Sequence, residues 1–229
     1  EMPEEVNRIL TDRISDYLFC PTDSAVKNLK NEGYDNIDTQ IVLTGDVMQD
    51  AALYYAQKSE EKSTVISKIG LEKFALTTLH RPENTDTKER LTELVEGLNE
   101  IHETICPIVL ALHPRTKAKL KLHRLDLEVK VIDPVGYFDM IELLKNCSLV
   151  ITDSGGLQKE AFFFRKNCIT MRDQTEWLEL IENGLNVLVG ADKNLLISSV
   201  KMMLTKRSNF SIDFYGNGNA SVNIVSEII

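Results

Sequence analysis

Between residues 74 and 189, six short runs rich in apolar and β-branched residues alternate with longer segments of helical pattern. That alternation constrains the fold more than any other feature. A strand–helix–strand rhythm builds a parallel sheet whose faces are both covered by helices. The predicted strands are 17–20, 40–43, 74–79, 108–112, 129–132, 149–151, 168–171 and 186–189. The predicted helices are 3–15, 23–32, 46–57, 87–103, 116–122, 137–146, 156–164, 176–182, 194–204 and 220–229. In the segment 87–103, Leu91, Leu94, Val95, Leu98 and Ile101 recur at helical spacing and mark a core-facing stripe. The expected class is α/β, with one complete Rossmann-like, doubly wound domain. What precedes it, a helix, a strand and another helix, is too little for a second such domain. The chain opens EMPEEVNR, already in helical pattern and without an initiator Met, which leads us to expect a piece of a longer protein.

Composition removes several function classes. The 35 acidic and 26 basic residues leave a net charge of −9. Nucleic-acid and anionic-membrane partners require a cationic footprint that such a chain lacks overall. No apolar run approaches the ~20 residues of a membrane span. Cys20, Cys106, Cys147 and Cys168 are scattered in or beside apolar stretches, which reads as buried free thiols and a cytoplasmic location. Neither they nor the four histidines have metal-ligand spacing.

In open parallel sheets, ligands bind beyond the carboxyl ends of the strands. Five of the six runs end in unusual polar segments: HRPEN from His80, HPRT from His113, DPVGY from Asp133, TDSGG from Thr152 and RDQTEW from Arg172. His80, Arg81, His113, Arg115 and Arg172 thus put cations at strand ends of an acidic protein, as an anion site would require. In TDSGGLQKEA, Ser154 is placed to cap the next helix, and Gly155 and Gly156 let a ligand approach the backbone. A helix N-terminus there would suit a pyrophosphate, with Glu160 in reach of ribose hydroxyls. The bland account of the same residues is a Ser-capped helix after a glycine turn, and a lone strand-end histidine is more often structural. His102 and His123 read as solvated. Glu4 and Glu5 read as first-turn carboxylates favourably opposed to a helix dipole.

Taken together, TDSGGLQKEA, HRPEN, MPEEVNR and RDQTEW resemble, in order and spacing, the non-hydrolysing UDP-N-acetylglucosamine 2-epimerase family. The resemblance runs essentially from residue 1 to 229. It implies a GT-B-type architecture of two Rossmann-like domains. Residues 1–40 would be the tail of the first domain, 41–209 the UDP-binding domain, and 210–229 a helix returning to the first. It further implies that Glu4 and His80 are catalytic, that Ser154, Gly155 and Gly156 bind the diphosphate, and that Glu160 binds the ribose. Met140 would stand near the uracil. Arg81, His113, Arg115 and Arg172 would complete the UDP site, with no metal or nicotinamide cofactor and a homodimer at full length. Two positions depart from the family pattern. QEEA stands here as Gln158-Lys159-Glu160-Ala161, and TERPE as Thr175-Glu176-Trp177-Leu178-Glu179. The second form resembles a branch that includes epimerases of UDP-diacetamido-uronic acids. A GT-B glycosyltransferase, a hydrolysing relative and a non-catalytic UDP-sugar-binding module share the nucleotide side.

Overall fold

The computed structural model describes the chain from residue 3 onward, with side chains from residue 5. The elements run α1 (Pro3–Arg13), β1 (Tyr17–Cys20), α2 (Asp23–Asn31), a 3-10 turn (Tyr34–Asn36), β2 (Gln40–Leu43), α3 (Val47–Lys62) and α4 (Val65–Ile69). They continue with β3 (Ala75–Thr78), α5 (Pro82–Thr85), α6 (Lys88–Thr104), β4 (Ile108–Ala111), α7 (Pro114–His123), β5 (Lys130–Ile132) and α8 (Tyr137–Asn146). The last are β6 (Leu149–Thr152), α9 (Gly155–Phe163), β7 (Cys168–Thr170), α10 (Leu178–Glu182), β8 (Asn186–Leu188), α11 (Lys193–Thr205) and α12 (Ala220–Ile228). They fall into two compact units, one made of the chain up to Leu53 with Ile212–Ile229, the other of Tyr54–Ser211.

The larger unit is a six-stranded parallel sheet in the order β5-β4-β3-β6-β7-β8. Chain order reverses between β3 and β6, so their carboxyl ends flank the crevice where such sheets bind ligands. Strand periodicity divides the side chains between two cores. Leu149 and Ile151 of β6 face one cluster with Leu91, Leu94, Leu98 and Ile101 of α6 and Leu196 and Val200 of α11. Val150 faces the other, with Leu143 and Leu144 of α8, Ala161 of α9 and Val65 and Ile69 of α4. Full burial of such a side chain is worth about 1.5–3 kcal/mol. α6 and α11 approach closely at Gly97, where a Cβ would stand 3.1 Å from Leu196 Cδ2.

Two short helices, α4 and α5, and the 3-10 turn are absent from the expected elements. α5 forms because Pro82 occupies its first position, where a missing N–H costs nothing. α3 runs to Lys62 rather than stopping at 57. Its polar last turn carries no periodic signal, but the buried Ser59 hydroxyl donates to Glu142 Oε1 at 2.5 Å.

In the smaller unit, β1 and β2 form a two-stranded parallel sheet over Leu18, Cys20, Leu29 and Tyr34. β2 therefore belongs with β1 and not with the six-stranded sheet, so the division lies after Leu53 and not at residue 40. α12 is capped from a distance: Asp50 accepts from the Ala220 N–H (3.1 Å) and the Ser221 N–H (2.7 Å). Cys20, Cys147 and Cys168 are buried, Cys106 is half-buried, and all four are free thiols. No helix among the described residues is long and apolar enough to cross a membrane.

Candidate functional site

At the switch point the two central loops are joined by one buried carboxylate. Asp153, directly after β6, is fully buried. Its Oδ2 accepts from the backbone N–H groups of His80 (2.9 Å) and Arg81 (2.8 Å) and from Asn84 Nδ2 (3.3 Å). Asn84 also donates to the Met171 carbonyl at 2.7 Å, which ties in the loop after β7. A buried carboxylate is tolerated where several donors converge on it. His80 Nδ1 lies 3.3 Å from Asp153 Oδ1, and the His80 side chain stays 41% exposed. The third loop contributes His113, which caps α7 by accepting the Arg115 N–H at Nδ1 (3.2 Å). The two imidazole centroids are 6.1 Å apart.

Ser154 holds the N-cap position of α9, but its hydroxyl makes no capping bond, contrary to the expected cap. Its own N–H donates to Thr152 Oγ1 at 2.9 Å. The donors that helix geometry leaves open at this end are therefore those of the first helical residues, Gly155 and Gly156, and not Ser154. A Cβ on Gly155 would find Arg81 and Arg172 guanidinium nitrogens at 3.7 Å and a Glu176 oxygen at 3.8 Å. Arg172 is bidentate to Glu176, at 2.9 and 3.0 Å. Burial pushes the Glu176 carboxyl up, but the Arg172 hydrogen bond, a backbone hydrogen bond and the charges of Arg172 and Arg81 together outweigh it and leave the group below its ordinary range. Arg81 and the Glu176-paired Arg172 thus stand beside the helix terminus, with the buried Asp153 carboxylate engaged by the loop N–H groups.

Beyond that terminus lies a cavity of about 300 Å³, lined among others by His80, His113, Met140, Ser154, Gly156 and Glu160. Pro134, Val135 and Met140 make it apolar on one side, a composition common in ligand pockets. Glu160 is raised above its ordinary 4.5 by burial, partly offset by a hydrogen bond from Tyr137 and by Lys159. Burial pushes Tyr137 up to about 12, so its hydroxyl remains a donor. With its value raised in the fold, Glu160 lowers stability progressively as pH rises from 4.5 through the folded value. Glu160→Gln is therefore expected to melt about 2–4 °C higher near pH 7, with the gap closing below about pH 4. Calorimetry at the two pH values checks this.

The two departures from the family pattern form one structure. Thr175 Oγ1 donates to Gln158 Oε1 (2.7 Å), Trp177 Nε1 donates to the Gly155 carbonyl (2.9 Å), and Lys159 Nζ sits 4.2 Å from the Trp177 ring centroid. The TEW segment is thereby fastened along α9.

Of the expected site residues, His80, His113, Met140, Ser154, Gly156 and Glu160 meet around one cavity, and Arg81 and Arg172 flank Gly155. Arg115 does not join them. Its guanidinium pairs with Asp86 at 2.6 Å, beside Lys119 at 2.8 Å, because its position in the first turn of α7 lies across from the β3–α6 connection. The side chain of Glu4 lies outside the described residues. Glu5 pairs with Arg8 at 2.6 Å. His102 is not simply solvated, since its Nδ1 accepts the Ile108 N–H at 2.9 Å, and His123 Nε2 is buried without a hydrogen-bond partner. Sequence reasoning missed Asp153, Asn84, Gln158 and Tyr137 as parts of the site. The signal for Asp153 was present: an acid directly after an apolar strand, among strand-end cations, must find donors. Among the described residues no three His, Cys, Asp or Glu side chains cluster as a metal site.

The family model for UDP-N-acetylglucosamine 2-epimerase matches residues 1–229. The chain is 55% identical, over 97% of its length, to the UDP-2,3-diacetamido-2,3-dideoxy-D-glucuronate 2-epimerase of Pseudomonas aeruginosa, covering 62% of that protein. It is 43% identical, over 98% of its length, to the UDP-N-acetylglucosamine 2-epimerase of Methanocaldococcus jannaschii, covering 63% of it. The crystal structure of the Methanocaldococcus jannaschii UDP-GlcNAc 2-epimerase in complex with UDP-GlcNAc and UDP superposes with a TM-score of 0.88 at 42% identity, covering 99% of this chain and 64% of that one. The chain thus spans somewhat under two thirds of the relatives it matches.

Proposed function

From the premise that the chain belongs to the UDP-N-acetylglucosamine 2-epimerase family, we propose that it is the nucleotide-binding part of a UDP-sugar 2-epimerase. The observation that carries this reading is the cavity at the β3/β6 switch point, with Arg81 and Arg172 beside the α9 terminus at one end and Glu160 in its lining. The diphosphate would lie against the Gly155 and Gly156 amides, Arg81 and Arg172. Glu160 would accept from the ribose, and the uracil would face Pro134, Val135 and Met140. The substrate we favour is a UDP-2,3-diacetamido-uronate, supported by the 55% identity to an epimerase of that sugar and by the TEW segment; UDP-GlcNAc is the alternative.

In the reaction a carboxylate takes the C2 proton while the C1–O bond breaks and UDP departs, leaving a 2-acetamidoglucal. UDP then returns to C1 as a proton reaches C2 from the opposite face. His80 and the α9 terminus stabilise the charge on the departing UDP, and Glu4 serves as one of the acid/base groups. Catalysis needs further carboxylates from the part of the relatives that this chain does not span, so the 229-residue chain alone binds UDP weakly and does not epimerise. The full-length enzyme is cytoplasmic and a homodimer.

The test is incubation of a protein of the relatives' full length with each UDP-sugar in deuterium oxide. Deuterium at C2 of both epimers, without an acceptor, is expected. Turnover only with an added acceptor would instead indicate a glycosyltransferase, and accumulation of free sugar a hydrolysing enzyme.

A further inference from the structure

The surroundings of the two cavity histidines differ in a way that fixes their protons. Asp153 Oδ1 faces His80 Nδ1 at 3.3 Å. A bare nitrogen lone pair held 3.3 Å from a carboxylate oxygen is repelled, whereas an N–H is attracted, so the proton of neutral His80 resides on Nδ1. At His113, Nδ1 is the acceptor of the Arg115 N–H at 3.2 Å, so the proton of neutral His113 resides on Nε2. We propose that Asp153 is a positioning residue that holds His80 in the Nδ1–H form, opposite in tautomer to its neighbour His113. Neutral His80 then offers an anion only a lone pair at Nε2, so a diphosphate is held at that atom only once it is protonated. Binding of UDP therefore draws one proton from solvent onto His80 Nε2, where a phosphate oxygen accepts it. Around this imidazole stand Asp153 from the β6–α9 loop and His113 from the β4–α7 turn, with Glu160 in the lining of the same cavity and the guanidinium of Arg81, the next residue, beside Gly155. The tautomer follows from the local geometry alone, whereas the proton uptake rests on the nucleotide reading of the cavity.

Asp153→Asn separates these effects. The His80 and Arg81 N–H groups and Asn84 Nδ2 all need an acceptor at the Oδ2 position, so the amide oxygen stays there and the NH2 group turns to His80 Nδ1. The substitution should thus reverse the tautomer while preserving the loop. Long-range 1H–15N spectra of the 229-residue chain, assigned with His80→Gln and taken where His80 is neutral, report the tautomer directly. We expect Nδ1–H at His80 and Nε2–H at His113, with Asp153→Asn changing His80 alone. Nε2–H at His80 in the parent chain, or an unchanged tautomer in the variant, would overturn the assignment. The parent spectrum decides even if the variant fails to fold. Calorimetric titration with UDP in buffers of different ionisation enthalpy should give uptake of about one proton for the parent and about none for Asp153→Asn. Equal uptake in both would remove the positioning role. A parent chain with the expected tautomers that does not bind UDP would overturn the nucleotide reading and leave the role of Asp153 in place.

Discussion

Titration of UDP into the chain carrying Ser154→Trp is expected to give no saturable binding, where the parent chain saturates. The indole would fill the mouth of the cavity that Ser154 lines with Gly156 and Glu160, standing where the diphosphate is proposed to meet α9. An affinity loss of at least about 100-fold, roughly 3 kcal/mol, follows from excluding the ligand's charged centre. The fold should tolerate the change, because the Ser154 hydroxyl makes no capping bond and the backbone N–H keeps its acceptor, Thr152 Oγ1. The melting temperature therefore serves as the control. Undiminished binding by a folded variant would move the ligand away from the α9 terminus and sink the proposed site.

The second large effect concerns a residue with no expected contact to ligand. Gln158 is fully buried. It accepts from Thr175 Oγ1 (2.7 Å) and Asn186 Nδ2 (3.0 Å) and donates to the Ser154 carbonyl (3.1 Å). Gln158→Leu keeps the volume approximately but leaves those partners unsatisfied in the interior, at about 1–3 kcal/mol for each buried group stranded. Allowing for relaxation of the loop, we expect a loss of about 2–4 kcal/mol, or roughly 5–12 °C in Tm. The Trp177 fluorescence should shift as well, because that ring is anchored through Gly155 on the same helix. Thr175→Val, which removes one partner only, should cost about 1 kcal/mol. If Gln158→Leu melted within a degree of the parent, the polar tether between α9 and the TEW segment would not be what holds it.

Both experiments depend on contacts that differ in how readily the sequence reveals them. The strands were legible because an alternating or continuous apolar run is a local property. The stripe Leu91, Leu94, Val95, Leu98 and Ile101 predicted a buried face for α6, and all five are at most 2% exposed. The location of the cavity was legible for a related reason. Parallel strands place their polar ends on one rim, so HRPEN, HPRT and TDSGG had to meet there once the sheet formed. Boundaries were less legible where a tertiary contact extends an element, as when Ser59 holds the last turn of α3 against Glu142.

The sequence by itself determined the α/β class, the order of the core elements and the rim on which the candidate site sits, because periodicity and strand-end chemistry are written into neighbouring residues. Only the tertiary structure decided which charge meets which. Arg115 and Arg172 look alike as strand-end cations, yet one is taken by Asp86 and the other, paired with Glu176, stands beside Gly155. Asp153 organises His80 across 73 positions of sequence, and Asp50 caps α12 across 170. Ion pairs and caps of this range depend on distances of a few ångströms, which the sheet order and the packing of loops set and which no local pattern encodes.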